Sequence, residues 1–265
     1  MLKFEYLNFE VCDKVATITL NRPEVLNAIH PPMAEELCQA WKQVRDDEDI
    51  WIAVLTGTGD RAFSAGSDLK WRNEQGEKAR DQNRNEVLDQ TREGFQRGRD
   101  NWKPMIAAVN GYAVGGGLEL VLGCDLVIAS DHAQFGLPEV QRGLMADGAG
   151  IHRLMRRLPY NVAMGMILTG EFVSAVQASK LGFVNEVVPI EKLGETVNSW
   201  LQRLLRCAPL ALRASKEAAI KGIEIPLSDA VSTIFPESER LYQSIDFVEG
   251  PKAFAEKRQP SWIGK

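Results

Sequence analysis

Three short segments carry residues whose types and spacing could do acid–base chemistry beside a polarised carbonyl. In the first, Ala62-Phe63-Ser64-Ala65-Gly66-Ser67-Asp68-Leu69, a strand-like entry runs into small residues and a glycine. Small residues let a backbone N–H approach a ligand that a larger side chain would hold off, although a tight turn selects the same residues. The second, Asn110-Gly111-Tyr112-Ala113-Val114-Gly115-Gly116-Gly117-Leu118-Glu119, joins a buried strand to a helix start. First-turn N–H groups lack intrahelical acceptors and the helix dipole adds partial positive charge, so an anion or a developing oxyanion would be well received there. Close helix–strand packing also selects glycine, and Glu119 falls in the first turn, where a carboxylate is favourable on electrostatic grounds alone. The third, Gln134-Phe135-Gly136-Leu137-Pro138-Glu139-Val140, sets a second carboxylate after a proline that fixes the local backbone. Taken by itself Glu139 reads as a solvated loop acid, and spacing alone does not bring the two acids together.

The elements that must position these segments follow from hydrophobic periodicity. Val15-Ala-Thr-Ile-Thr-Leu20 is a β-branched run stopped by Asn21-Arg-Pro23, which predicts a strand and a turn. From Pro31, Met33, Leu37, Trp41 and Val44 recur at helical spacing, and Trp51 to Thr56 is a continuous apolar run suited to a strand buried on both faces. The same alternation returns at Met105 to Val109, Gly115 to Leu122 and Asp125 to Ala129, predicting repeated β-α units and a mostly parallel sheet. Between them, 71–102 is highly polar, with Val87, Leu88 and Phe95 almost its only apolar anchors, and reads as a partly mobile helical insert. Beyond Pro159 strands nearly vanish apart from Phe183 to Val188. Helical patterns dominate through Glu191 to Arg206, Leu210 to Lys221 and Ser238 to Lys257, so a boundary is expected near Leu158. Such a helical tail must pack on its own core, a neighbouring subunit, or both.

Composition narrows the class. The 265 residues, with 45% hydrophobic and 25% charged content, suffice for a substantial core. A net charge of −5, spread over interleaved acids and bases, gives no electrostatic reason to expect nucleic acid. There is no apolar run of membrane-spanning length and no signal-peptide pattern at the amino end. Cys12, Cys38, Cys124 and Cys207 are scattered and read as reduced core thiols of a cytoplasmic protein. His30, His132 and His152 form no ligand pattern, so no metal is expected. The glycine-rich dinucleotide, P-loop and serine-hydrolase motifs are absent.

Read together and in order, Phe63 to Leu69, Asn110 to Glu119 and Phe135-Gly-Leu-Pro-Glu139 resemble the successive signatures of the crotonase, or enoyl-CoA hydratase/isomerase, superfamily. The likeness runs from Leu20-Asn-Arg-Pro23 and Leu26-Asn-Ala28 to Ala253-Phe-Ala-Glu-Lys-Arg258, nearly the whole chain. It implies an α/β fold, a ClpP-like spiral of β-β-α units in residues 1–158 followed by a helical trimerisation region in 159–265. The expected assembly is a homotrimer or a hexamer built as a dimer of trimers. The resemblance places an oxyanion hole on the backbone N–H groups of Ser67 and Gly116. It places coenzyme A contacts on Ser67, Asp68, Leu69 and Lys70 with Ala65 and Gly116 beside them, and on Lys257 near the end of the chain.

The implied activity is reversible hydration of a 2-enoyl-CoA in fatty acid or lipid metabolism, with Glu119 activating water for C3 and Glu139 protonating C2. Coenzyme A belongs to the substrate, and no separate cofactor, membrane or nucleic acid is implied. One departure stands out: Asp147, in Met145-Ala-Asp-Gly-Ala-Gly150, occupies a position where typical short-chain hydratases have glycine. An acid there resembles dienoyl-CoA isomerases and carnitinyl-CoA dehydratases, which stay open as alternatives, with a non-catalytic or RNA-binding member as a remote one. Asp147 reads equally well as the N-cap of the helix that follows.

Overall fold

Alternating burial along Ile52–Gly57 explains how the main sheet is held. Ala53 and Leu55 pack into one apolar cluster with Leu37, Trp41 and Val44, while Ile52 and Val54 pack into a second with Ile106, Ile128, Leu193 and Val197. Both faces of the strand are therefore covered, as expected of a parallel strand between helical layers. The computed structural model describes residues 3–74 and 101–265, so most of the expected 71–102 insert, with Val87, Leu88 and Phe95, lies outside the described residues.

Among the described residues, ten strands form two sheets. The larger has six strands in the order β1 (Leu7–Cys12), β2 (Val15–Leu20), β3 (Ile52–Gly57), β5 (Met105–Val109), β7 (Leu126–Ser130) and β10 (Glu186–Val188). Only β1 and β2 pair antiparallel, through the two-residue turn Asp13-Lys14, whose φ of 48° and 69° match a type I′ hairpin. The smaller has four strands, β4 (Ala62–Ser64), β6 (Tyr112–Val114), β8 (Gln134–Gly136) and β9 (Val173–Ser174), parallel except for the last pair. Each of β3, β5 and β7 is followed by a short strand of the second sheet and then by helical chain, giving the β-β-α succession.

The Pro31–Asp46 helix begins with proline in its first turn and buries its apolar stripe under the main sheet. Its last turn is closed by Lys103, whose buried Nζ donates to the carbonyls of Val44 and Asp47 at 2.6 and 2.5 Å. On the other face the Leu193–Leu205 helix covers β5 and β7. Strands β9 and β10, both beyond Leu158, join the two sheets, so pairings cross the expected boundary.

Three readings of local structure change. The pattern from Ser238 to Lys257 is two helices, Pro236–Tyr242 and Ile245–Ala255, because the Ser244 hydroxyl accepts the Phe247 N–H and starts a new helix. None of the four cysteines is in a disulfide, but Cys12 and Cys207 are exposed rather than in the core. The sheet predicted as one is two, since β4, β6 and β8 are three residues each. Among the described residues, no helix is long and apolar enough to cross a membrane.

Candidate active site

Strands β4, β6 and β8 are parallel neighbours, so the loops leaving their carboxyl ends emerge side by side. These are the loops through Gly66-Ser67, Gly115-Gly116 and Pro138-Glu139. Topology thus gathers residues that are about 50 and about 20 positions apart in sequence. Gly66 sits at φ 83°, and a β-carbon there would fall 2.5 Å from the Val114 carbonyl and 2.9 Å from the Gly116 nitrogen. Only a residue without a side chain lets these two loops touch.

Gly116 is the first residue of the Gly116–Gly123 helix, behind Gly115 as N-cap, so its N–H has no acceptor within the helix. Ser67 forms a parallel bridge with Ile29, in which the Ile29 N–H donates to the Gly66 carbonyl and the Asp68 N–H donates to the Ile29 carbonyl. Those two bonds straddle Ser67, so its own N–H points to the opposite edge, the side on which β6 continues into Gly115-Gly116.

Glu119 occupies the first turn of this helix and is 3% exposed. Its Oε1 accepts the Gly150 N–H at 2.8 Å, at the start of the Gly150–Arg157 helix. Glu139 lies against Gly115: a β-carbon there would be 3.0 Å from its Oε1, and its buried Oε2 has no hydrogen-bond partner among the described residues. Burial pushes the Glu119 carboxyl up to about 7, with the Glu139 and Asp147 carboxylates acting in the same direction and the Gly150 N–H and Arg153 opposing. Burial raises Glu139 too, and Asp147 adds to it, while Arg142 opposes.

A pH dependence follows. The folded-state value of Glu119 lies above its ordinary 4.5, so the folded protein holds this proton more tightly than the unfolded chain. The resulting stabilisation is complete below about 4.5 and is lost as pH rises through about 7. In Glu119→Gln this dependence is absent, so the variant's melting temperature should gain on the wild type's as pH rises across that window. A difference that stays flat with pH would mean that the carboxyl is not held protonated by its surroundings.

Asp147 is exposed and near enough to raise both glutamates. It does not cap the following helix: the N-cap is Ala149 at φ 81°, without a side-chain cap bond. Asp147 stands two residues before that position, and the N–H that opens the helix, on Gly150, goes to the Glu119 carboxyl.

A family model described as enoyl-CoA hydratase/isomerase matches residues 10–265. The chain belongs to the enoyl-CoA hydratase/isomerase family. It is 40% identical over 260 residues to the (E)-benzylidenesuccinyl-CoA hydratase of Thauera aromatica, covering 97% of this chain and 99% of that one. The carnitinyl-CoA dehydratase of Citrobacter koseri is 38% identical over 268 residues, covering 98% and 99%. Among solved structures, an enoyl-CoA hydratase from Bacillus anthracis superposes with a TM-score of 0.91 at 32% identity, over 98% of this chain and all of that one. The α/β crotonase fold is thereby shown.

The other candidate residues of this family member have surroundings of their own. Asp68 is committed to structure, since its Oδ1 accepts the Trp71 N–H and its Oδ2 pairs with Arg22 at 3.0 Å. Ala65 is half-buried, with its N–H on the Leu26 carbonyl, while Leu69 and Lys70 are exposed. Lys257 is exposed at φ 54° just past the Ile245–Ala255 helix. Sequence reasoning missed Gly150, whose signal was a glycine opening a helix, and the Asn27 and Ser64 side chains behind the Gly66 loop.

Proposed function

We propose that this protein adds water reversibly to the double bond of a 2-enoyl-CoA, giving a 3-hydroxyacyl-CoA. The observation that supports the reading is two glutamates close enough for Glu139 to raise Glu119, with the Glu139 carboxyl against Gly115, just ahead of the Gly116 amide, and the buried Glu119 carboxyl on the Gly150 N–H. The thioester oxygen accepts from these two N–H groups, and the acids hold a water over the adjacent alkene. Glu119 takes a proton from the water as its oxygen bonds to C3. The π electrons move onto the thioester oxygen as an enolate, which the two donors stabilise by several kcal/mol, on the order of what one lost oxyanion donor costs elsewhere. The enolate then collapses, and C2 takes the proton of Glu139.

This division of labour is supported by the raised Glu119, a base poised near neutral pH, and by the Glu139 Oε2, without a partner among the described residues, in surroundings that favour the protonated form. The pair titrates jointly, so pH profiles report the pair rather than either acid. The relatives named as a hydratase and a dehydratase favour water addition or removal over isomerisation.

Asp147 supports one second reading, in which a third carboxylate carries a proton for a dienoyl isomerisation or meets a cationic acyl group, as on a carnitinyl-CoA. Incubation with crotonyl-CoA, crotonobetainyl-CoA, a benzylidenesuccinyl-CoA and a 3,5-dienoyl-CoA, followed by product mass, separates these. A gain of one water on any of them supports hydration. A shifted diene with no water added to any substrate would overturn it.

We assign Lys70 and Lys257 to the coenzyme A phosphates, an assignment removed by an unchanged Kd for coenzyme A in Lys257→Ala. Leu227, Val231, Ile234 and Phe254 are each at least 68% exposed on or beside the C-terminal helices. Apolar surface of that extent suits a subunit contact, so a homotrimer or hexamer is the assembly we assign. A monomeric mass in solution at micromolar concentration would remove it.

A further inference from the structure

We propose that Asn27 and Ser64 are positioning residues that aim the Ser67 N–H into the site. The inference rests on the reading above, in which that amide receives the thioester carbonyl. Its observations lie in a part of the molecule that does no chemistry: Leu26 and Asn27, at φ 56° and 54°, are consecutive non-glycine residues in the left-handed region. Such backbone persists only where its surroundings over-determine it.

The Asn27 side chain is fully buried and supplies that constraint. Its Oδ1 accepts the Arg22 N–H at 3.0 Å, and its Nδ2 donates to the carbonyls of Thr58 and Ala62 at 3.1 and 2.8 Å. One amide thus joins the strained turn to the chain entering β4. The Asn27 carbonyl in turn accepts the Ser64 hydroxyl at 2.8 Å, and the Ser64 oxygen accepts the Gly66 N–H at 3.1 Å.

The rest of the loop is tied to the same segment. The Ala65 N–H donates to the Leu26 carbonyl at 2.9 Å, the Ile29 N–H to the Gly66 carbonyl at 2.7 Å, and the Asp68 N–H to the Ile29 carbonyl at 2.9 Å. The amides of residues 65, 66 and 68 are therefore all committed to the 26–29 turn, directly or through Ser64. The Gly66 carbonyl and the Ser67 N–H belong to one planar trans peptide, so the Ile29 bond to that carbonyl turns the Ser67 N–H the opposite way, and the bonds on either side hold the plane there. Ser64 holds the peptide just before it: without the hydroxyl, the Gly66 N–H and the Asn27 carbonyl lose their shared partner in a buried place, the 65–66 peptide can turn about the permissive glycine, and the Ser67 N–H is carried off its aim.

The test is Ser64→Ala, followed through two readouts. One is hydration of crotonyl-CoA. The other is the infrared band of ¹³C-labelled thioester carbonyl in bound butyryl-CoA, which is saturated and cannot be hydrated. In the wild type the two N–H donors should move that band to lower wavenumber on binding. In Ser64→Ala the band should return toward its position in water, and kcat should fall about 10- to 100-fold with KM within about threefold. Thr56→Val serves as the structural control, since it removes a hydroxyl that donates to the Ala108 carbonyl at 2.8 Å between β3 and β5. It should lower the melting temperature while leaving band and kcat as in the wild type.

Wild-type band and kcat in Ser64→Ala would overturn the positioning role. A wild-type band unmoved by binding would instead overturn the reading of the Ser67 and Gly116 amides, a separate failure visible before any variant is made. If Ser64→Ala yields no folded protein, Ser64→Cys keeps size and a weak donor, and an intermediate band shift with an intermediate kcat is the supporting result. A full wild-type response in that variant would count against the proposal.

Discussion

Glu139→Gln should lose hydration of enoyl-CoA by about 100- to 10,000-fold in kcat, with KM changed little, because the amide keeps the shape of the carboxyl but cannot supply its proton. Glu119→Gln should lose a similar factor for the complementary reason, the absence of a base. The carbonyl oxygen of the introduced amide can still accept the Gly150 N–H now bonded to the Glu119 Oε1, so the fold around it is retained. In the double variant the losses should not multiply, since two groups that serve one water act as a unit. Retention of more than about a tenth of wild-type kcat in either single variant would remove that residue from the proton transfers.

Gly66→Ala is expected to be nearly as damaging although it touches no acid. At φ 83° an alanine is strained by about 1–3 kcal/mol. More costly is the methyl group, which would lie 2.5 Å from the Val114 carbonyl and 2.9 Å from the Gly116 nitrogen, both backbone atoms that cannot swing aside. The two loops must part, and a misplacement of about 1 Å at a reacting centre costs roughly 100-fold in rate. Gly182→Ala separates the two effects: Gly182 is at φ 90° with nothing near its would-be β-carbon. It should lower the melting temperature by the strain alone, less than Gly66→Ala does, and leave kcat intact. Equal kcat loss in both variants would mean that strain, not the closeness of the loops, is responsible.

How much of this could be read in the residues differs by element. The strands Val15–Leu20, Ile52–Gly57 and Met105–Val109 and the Pro31–Asp46 helix are long enough for burial to leave a period, and each sits within two residues of its expected place. The three motif loops were legible because glycine, proline and acid fall together in short spans. Strands β4, β6 and β8 were not, since three residues cannot display an alternation, and without them the second sheet had no visible basis.

The meeting of Glu119 with Glu139 came from resemblance rather than spacing; the structure traces it to the parallel order of β4, β6 and β8. Asp147 had two readings of equal standing, and the Ala149 turn decides against the cap. The Glu119 contact with Gly150 spans 31 positions and joins a side chain to a main-chain N–H, a type of pairing no local pattern encodes.

The division into a six-stranded and a four-stranded sheet has a bearing on heat. Strands β2 and β3 pair over six residues in the large sheet, whereas β6 and β8 pair over three in the small one. The candidate site thus sits on the sheet with the fewest ladder bonds to lose, while helices and long strands elsewhere hold the shape. On warming, such a protein should fall silent as a catalyst while its circular dichroism is still that of the native state.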